Sequence, residues 1–239
     1  MTGPTSPASA SRLPAPRVGI VSDRRRLCAA AGRPLDDART LLAAQVEGAA
    51  ESGVEFFQVR EPDLGGGPLL VLVGELVTVA RGRVRVVVND RADVAAAAGA
   101  DLHLRGGSMP WPRLRPWLPA STWVSRAVHD PDDLAAAAGV DALIAGAVRR
   151  TVSKPEDTRW LGVDGLARLA AATAQPVFAI GGMTAADWPT LARAGAAGFA
   201  VIGWTLPRRG EDPGAAVVRA MADLRAMVAA TEESPEITS

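Results

Sequence analysis

The chain has 239 residues, 48% of them hydrophobic, which suffices for one sizeable core and matches a single barrel domain better than two domains. Lysine plus arginine and aspartate plus glutamate each number 26, so the formal net charge is zero. That balance argues against nucleic acid or an anionic membrane as a global partner and leaves room for a local anion site. A single cysteine, Cys28, excludes an internal disulfide and a thiolate metal cluster, so a reducing cytoplasm is the expected compartment.

Residues 1–16 are rich in Pro, Ser and Ala without an apolar core, and read as a disordered leader rather than a signal peptide. Residues 17–230 read as one barrel domain, and the acidic, turn-rich residues 231–239 as a disordered tail. No stretch approaches the ~18 apolar residues of a membrane span. Short apolar runs at 18–21, 56–60, 84–88, 101–104, 122–125, 142–145, 177–180 and 198–202 predict strands, each bounded by Gly, Pro, Asp or Asn. Between them, residues 38–52, 68–81, 92–98, 111–118, 132–138, 163–174, 185–194 and 213–230 predict helices. In the first, Leu41, Leu42, Val46, Ala49 and Ala50 fall at helical spacing.

Strict alternation of strand and helix implies parallel strands joined by right-handed crossovers. Eight repeats favour closure, giving an α/β fold with a single (β/α)₈ TIM barrel. An open doubly wound sheet is the runner-up. It would normally carry a Gly-rich turn after its first strand, and residues 21–26 contain no glycine.

Barrel chemistry sits at the C-terminal ends of the strands. There the sequence places Gln58 and Arg60 after strand 2, Asn89 and Asp90 after strand 3, and His129 beyond strand 5. Thr151, Ser153 and Lys154 follow strand 6, Gly181 and Gly182 follow strand 7, and Ile202 and Gly203 end strand 8. Backbone N–H groups at Gly181, Gly182 and Gly203 can approach an anion closely, in the corner where barrels bind phosphate. The same glycines also suit plain tight turns. Thr151, Ser153 and Lys154 can add hydrogen bonds to an anion, or form a solvated loop. His129 can exchange a proton near neutral pH, whereas His103, inside strand 4, reads as a packed core residue. Asn89-Asp90 can orient a substrate, hold Mg²⁺, or start the next helix. The six tryptophans suit an outer core or an interface, and a homo-oligomer is compatible with them.

Taken in order, Gln58-Val59-Arg60-Glu61, Val88-Asn89-Asp90, Ala100-Asp101-Leu102-His103-Leu104, Thr151-Val152-Ser153-Lys154, Ala179-Ile180-Gly181-Gly182-Met183-Thr184 and the run 194–202 resemble thiamin-phosphate synthases and their TenI-type thiazole tautomerase relatives. The resemblance spans residues 18–204. It implies a small phosphorylated thiazole as substrate, its phosphate at the glycines of strands 7 and 8. For a synthase it further implies a pyrimidine pyrophosphate and Mg²⁺ held by Asp90; for a tautomerase it implies no cofactor, and a histidine that moves a proton to aromatise a carboxythiazole phosphate.

Against the synthase pattern, Pro62 stands where a Lys is typical, Ser108 where a Mg²⁺-binding Asp is typical, Ala127 where a Ser is typical, and Gly203-Trp204 at a common Ser position. These departures fall mainly on the pyrophosphate–metal half. The resemblance therefore implies first a tautomerase with His129 and Arg60 as catalytic residues, second a synthase, and third a non-catalytic binding relative.

Overall fold

A strand buried on both faces must be short and apolar on both sides, and the eight runs meet that requirement. In the computed structural model, which describes residues 14–150 and 160–233, they form β1 (Arg17–Val21), β2 (Phe56–Val59), β3 (Arg85–Asn89), β4 (Asp101–Leu104), β5 (Val124–Val128), β6 (Ala142–Gly146), β7 (Val177–Ile180) and β8 (Gly198–Val201). All pair in parallel in chain order, and β8 returns to β1 to close the barrel. Closure settles the choice against the open sheet.

The helices are α1 (Arg24–Ala31), α2 (Ala38–Glu51), α3 (Gly66–Ala80), α4 (Ala92–Ala98), α5 (Trp111–Leu114), α6 (Gly162–Ala171), α7 (Trp188–Arg193) and α8 (Pro213–Glu233). Four differences from the expected elements matter. Helix α1 was not expected; Asp23 caps it by accepting the Arg26 N–H at 3.0 Å, and Gly32 ends it in the left-handed conformation. Strand β5 starts two residues later than expected, because Thr122 closes a turn by donating its N–H to the Pro119 carbonyl at 3.0 Å. The expected helix at 132–138 is a 3₁₀ segment, Pro131–Ala137, that starts with a capping box at Asp130 and Asp133. Finally, α8 continues to Glu233, past the expected boundary at 230. At the other end, the Pro14 carbonyl accepts the Trp188 indole N–H at 3.0 Å, so the chain is tied down within the expected leader. No described helix is long and apolar enough to cross a membrane.

Alternation along each strand sorts the side chains into two packings. One set faces the helices and forms the main core, with Leu42, Val46, Val73, Leu76, Leu143, Leu166 and Phe199 sealed from solvent. The other fills the barrel: Val21, Phe56, Val87, Ala142, Ile144, Phe178 and Ala200. The interior fill is uneven. Near the N-terminal ends of the strands, Phe56 packs edge-on against Phe178 at 5.4 Å between ring centroids and tilts against Trp123 at 5.7 Å. Arg17 and Arg85 cover Phe178 and Trp123 from below, their guanidinium carbons 5.2 and 5.7 Å from the ring centroids. Two residues further along the same strands the inward residues include Gln58, Asn89 and Ile180, and a cavity opens there.

The aromatic plug needs space at Gly19. A Cβ there would lie 2.0 Å from the Phe56 ring, deep inside contact distance. Gly19→Ala should therefore destabilise the barrel by about 1–3 kcal/mol through overpacking, read as a lower urea midpoint. Phe56→Leu in the same chain should recover part of the loss. Equal midpoints for wild type and Gly19→Ala would show that the ring yields without cost.

Candidate active site

The period-two register that carries Phe56, Val87 and Phe178 into the plug carries Gln58, Asn89 and Ile180 to the next layer, on the same inward face. Gln58, Asn89, His103, Ala127, Ile144, Gly146 and Ala200 line a cavity of about 550 Å³ that opens at the C-terminal ends of the strands. Arg60 and His129, each two residues further on, stand at its mouth, and Gly181, Gly182, Ile202, Gly203 and Trp204 form the wall beside β7 and β8. Arg26, Arg60, Arg105 and Arg150 belong to this lining, Arg105 already paired with Asp90, and no Asp or Glu does among the described residues. A cavity with that charge pattern attracts an anion.

Its floor is held by hydrogen bonds between strands. The Gln58 amide Nε2 donates to Asn89 Oδ1 at 3.1 Å, joining β2 to β3. His103 Nδ1 lies 2.9 Å from Ser125 Oγ, joining β4 to β5. As expected, His103 is a packed, hydrogen-bonded residue, and it also belongs to the cavity lining. Burial pushes its imidazole down to about 4, with Arg60 and Arg126 adding to the effect against Asp90. It is neutral at neutral pH.

His129 is exposed at the rim, and two contacts orient it. Its backbone N–H donates to Asp133 Oδ2 at 2.6 Å, and its Nδ1 contacts the Gly146 carbonyl oxygen. A carbonyl only accepts, so Nδ1 must carry the proton, and in the neutral ring Nε2 keeps its lone pair. Asp133 was not singled out in the sequence; its place in a capping box after Asp130 is the signal that marks it.

At the β7–β8 corner, Gly181 and Gly182 take φ of +119° and +67°, and a Cβ on Gly182 would come within 3.0 Å of the Arg150 carbonyl. Only glycine fits both constraints. The expected helix at 185–194 is divided into a 3₁₀ turn, Ala185–Asp187, and the six-residue α7. An anion at this corner would therefore meet turn N–H groups rather than a long helix dipole. Asp187 braces the corner by accepting the Thr184 N–H at 2.8 Å and hydroxyl at 3.1 Å, and it pairs with Arg149.

Asp90 is the metal-ligand candidate of the synthase reading alone. Asp90 has a positive φ of 59° and donates its N–H to the His103 carbonyl at 2.8 Å. Its carboxylate accepts from Arg105 Nε at 2.6 Å and from the Ser108 hydroxyl, and it does not face the cavity. A hard divalent cation needs several oxygen ligands, preferably anionic. One carboxylate already bound to a guanidinium, beside a neutral serine, does not make that set, and no cluster of three or more metal-binding side chains exists among the described residues. The residues present do not fit Mg²⁺.

Thr151, Ser153 and Lys154 lie outside the described residues. Sequence reasoning missed Arg26, because it missed α1. The helix belongs to a network in which Glu61 accepts from the Ser22 hydroxyl at 2.6 Å and from Arg24 Nη1 at 3.0 Å, while Asp63 binds Arg24 and Arg25. Ser22 Oγ in turn accepts the Arg60 backbone N–H at 2.9 Å. The network thus sets both Arg60 and the first turn of α1.

Comparison with known proteins gives consistent findings. A family model described as thiamine monophosphate synthase (TMP-TENI) matches residues 28–204. A thiamine-phosphate synthase of Anaeromyxobacter dehalogenans is 37% identical over 195 residues, covering 80% of this chain and 87% of that protein. One from Mycobacterium bovis is 37% identical over 199 residues, covering 77% and 87%. The solved thiamine phosphate pyrophosphorylase of Pyrococcus furiosus superposes with a TM-score of 0.71 at 26% identity, covering 90% of this chain and 96% of that one.

The buried His103 makes the fold sensitive to acid in a defined window. The unfolded chain takes up this proton near the ordinary 6.5, the folded one only near about 4. The stability present above pH 6.5 is therefore lost as pH falls towards 4, by on the order of 3 kcal/mol. His103→Asn should flatten urea midpoints measured between pH 7 and pH 4 relative to wild type. Parallel profiles for the two proteins would mean that His103 does not set the acid limit.

Proposed function

Because the chain belongs to the thiamine monophosphate synthase (TMP-TENI) family, we propose that its cavity takes a phosphorylated thiazole and that its reaction is the proton shift that aromatises carboxythiazole phosphate. The observation that carries this reading is the fate of Asp90. With Arg105 and Ser108 on its carboxylate, the half of the site that a metal and a pyrophosphate would need is occupied by an internal ion pair. The half that a thiazole phosphate would need keeps its glycines, an open cavity and a histidine at the rim.

The substrate phosphate lies against the N–H groups of Gly181, Gly182 and Gly203, and the ring rests on Gln58, Asn89 and Ala127. Arg60 pairs with the ring carboxylate from the β2 side. His129 Nε2, its lone pair directed by the Nδ1 contact to Gly146, accepts the proton from the ring carbon. The same nitrogen returns it to the exocyclic carbon, leaving the ring aromatic and the histidine neutral. Thr151, Ser153 and Lys154 add contacts to the phosphate in this reading.

A second reading is favoured by the names of the relatives: the proteins from Anaeromyxobacter and Mycobacterium are thiamine-phosphate synthases. Here the chain would join thiazole phosphate to hydroxymethylpyrimidine pyrophosphate and release pyrophosphate. The two reactions separate cleanly in the tube.

With carboxythiazole phosphate and excess chelator, wild type should turn over unimpaired, followed by the change in ring absorbance or by NMR. His129→Asn should lose about 10²- to 10⁴-fold in rate while phosphate affinity stays within twofold. Supplied instead with thiazole phosphate, pyrimidine pyrophosphate and Mg²⁺, the protein should release little pyrophosphate. Stoichiometric release would establish the synthase reading, and absence of both products would leave a binding protein.

A further inference from the structure

Three arginines stand in a row at the start of α1, and they have different surroundings. Arg24 is buried against Glu61 and Asp63, and Arg25 closes on Asp63 at 2.6 Å. Those two staple α1 to the chain after β2. Arg26 has no carboxylate within ion-pair range among the described residues, and its guanidinium lines the cavity. Its backbone is not free to drift, since the Asp23 side chain holds its N–H at 3.0 Å and the Asp23 carbonyl accepts the Leu27 N–H at 2.9 Å.

Gly203 shows where the side chain goes. Unlike Gly181 and Gly182, Gly203 has no left-handed backbone that would demand glycine. What a Cβ there would meet is Arg26 Nη2, at 3.1 Å. The missing side chain makes room for the guanidinium, which thereby reaches the corner where β7 and β8 present their glycines. Those glycines offer neutral N–H groups only. A phosphate monoester carries close to two negative charges at neutral pH, so the corner needs a cation as well as dipoles.

We propose that Arg26 is a charged member of the phosphate site, reaching across from β1–α1 to select a phosphate ester over the corresponding alcohol. This rests on the reading above that a phosphate occupies the β7–β8 corner, but not on the identity of the ring attached to it. Arg26 is a binding and specificity residue; no proton passes through it.

The test uses inorganic phosphate, thiazole phosphate and the dephosphorylated thiazole alcohol as probes, titrated calorimetrically into the full chain. Arg26→Gln should weaken inorganic phosphate and thiazole phosphate by about 10- to 100-fold, the range for a hydrogen bond to a charged group, and leave the alcohol unchanged. Arg26→Lys should fall between, keeping the charge and losing the fork. Gly203→Val, which presses on the guanidinium without altering its charge, should weaken the phosphates in the same direction. Arg39→Gln, exposed and paired with Glu75 outside the cavity, controls for loss of one positive charge and should change neither phosphate. Circular dichroism establishes that each variant is folded.

If wild type and Arg26→Gln bind inorganic phosphate equally, or if wild type binds none at millimolar concentration, the assignment is wrong. If inorganic phosphate binds in an Arg26-dependent way and thiazole phosphate does not bind, the assignment holds and the thiazole reading falls.

Discussion

Every part of the cavity depends on how the barrel is filled below it. Phe56, reaching under its neighbours into the space left by Gly19, meets Phe178 and Trp123 and closes the N-terminal end with three aromatic rings. Large side chains in that layer leave no channel through the barrel, so the next inward layer becomes a floor rather than the wall of a pore. Because the strands are parallel and in fixed register, the residues that follow the plug by two positions all land on that floor. Gln58, Asn89 and Ile180 owe their places in the cavity to this arithmetic, Arg60 owes its place to one more step of it, and Ala127 and His129 continue the face of Trp123 by further steps of two along β5.

Electrostatics divides the same space. Carboxylates near the mouth are turned away from it and neutralised: Glu61 and Asp63 on the α1 arginines, Asp90 on Arg105, Asp187 on Arg149. Their work is to hold loops, and Asp63 is kept well below the usual carboxylate range by Arg24 and Arg25. What remains facing the cavity is cationic or neutral. The contrast between Arg24, consumed in a staple, and Arg26, aimed at the glycine corner, arises from helical geometry, since residues two apart on a helix point in different directions.

Much of the fold was legible because alternation of short apolar runs with Ala/Leu-rich segments is a strong pattern, and 101–104 and 177–180 match their strands residue for residue. Legibility failed where local polarity masks an element. Arg24-Arg25-Arg26 reads as a charged loop, and only Asp23 and Gly32, a cap and a stop nine residues apart, mark the helix there. Residues 132–138 have helical composition but wind as a 3₁₀ segment, a choice of turn that composition does not encode. In the site, the glycine corner, Arg60 and His129 followed from position alone. The roles of Ser125, Asp133 and Arg26 did not, because each depends on a contact across 4 to 177 residues of chain that no local pattern encodes. The partners of Asp90 were hidden for a similar reason: Arg105 and Ser108 come from the next strand–helix connection.

The contact between His129 Nδ1 and the Gly146 carbonyl has a stereochemical consequence for the proposed proton shift. That N–H stays satisfied whether Nε2 is empty or protonated, so the ring gains nothing by flipping during turnover. One nitrogen, fixed above one side of a flat substrate, must both take the proton and hand it back. The transfer would then be suprafacial, and a deuterium placed at the ring carbon would travel to the exocyclic carbon on the same face, retained to the extent that the rim excludes water during the few ångströms of its journey.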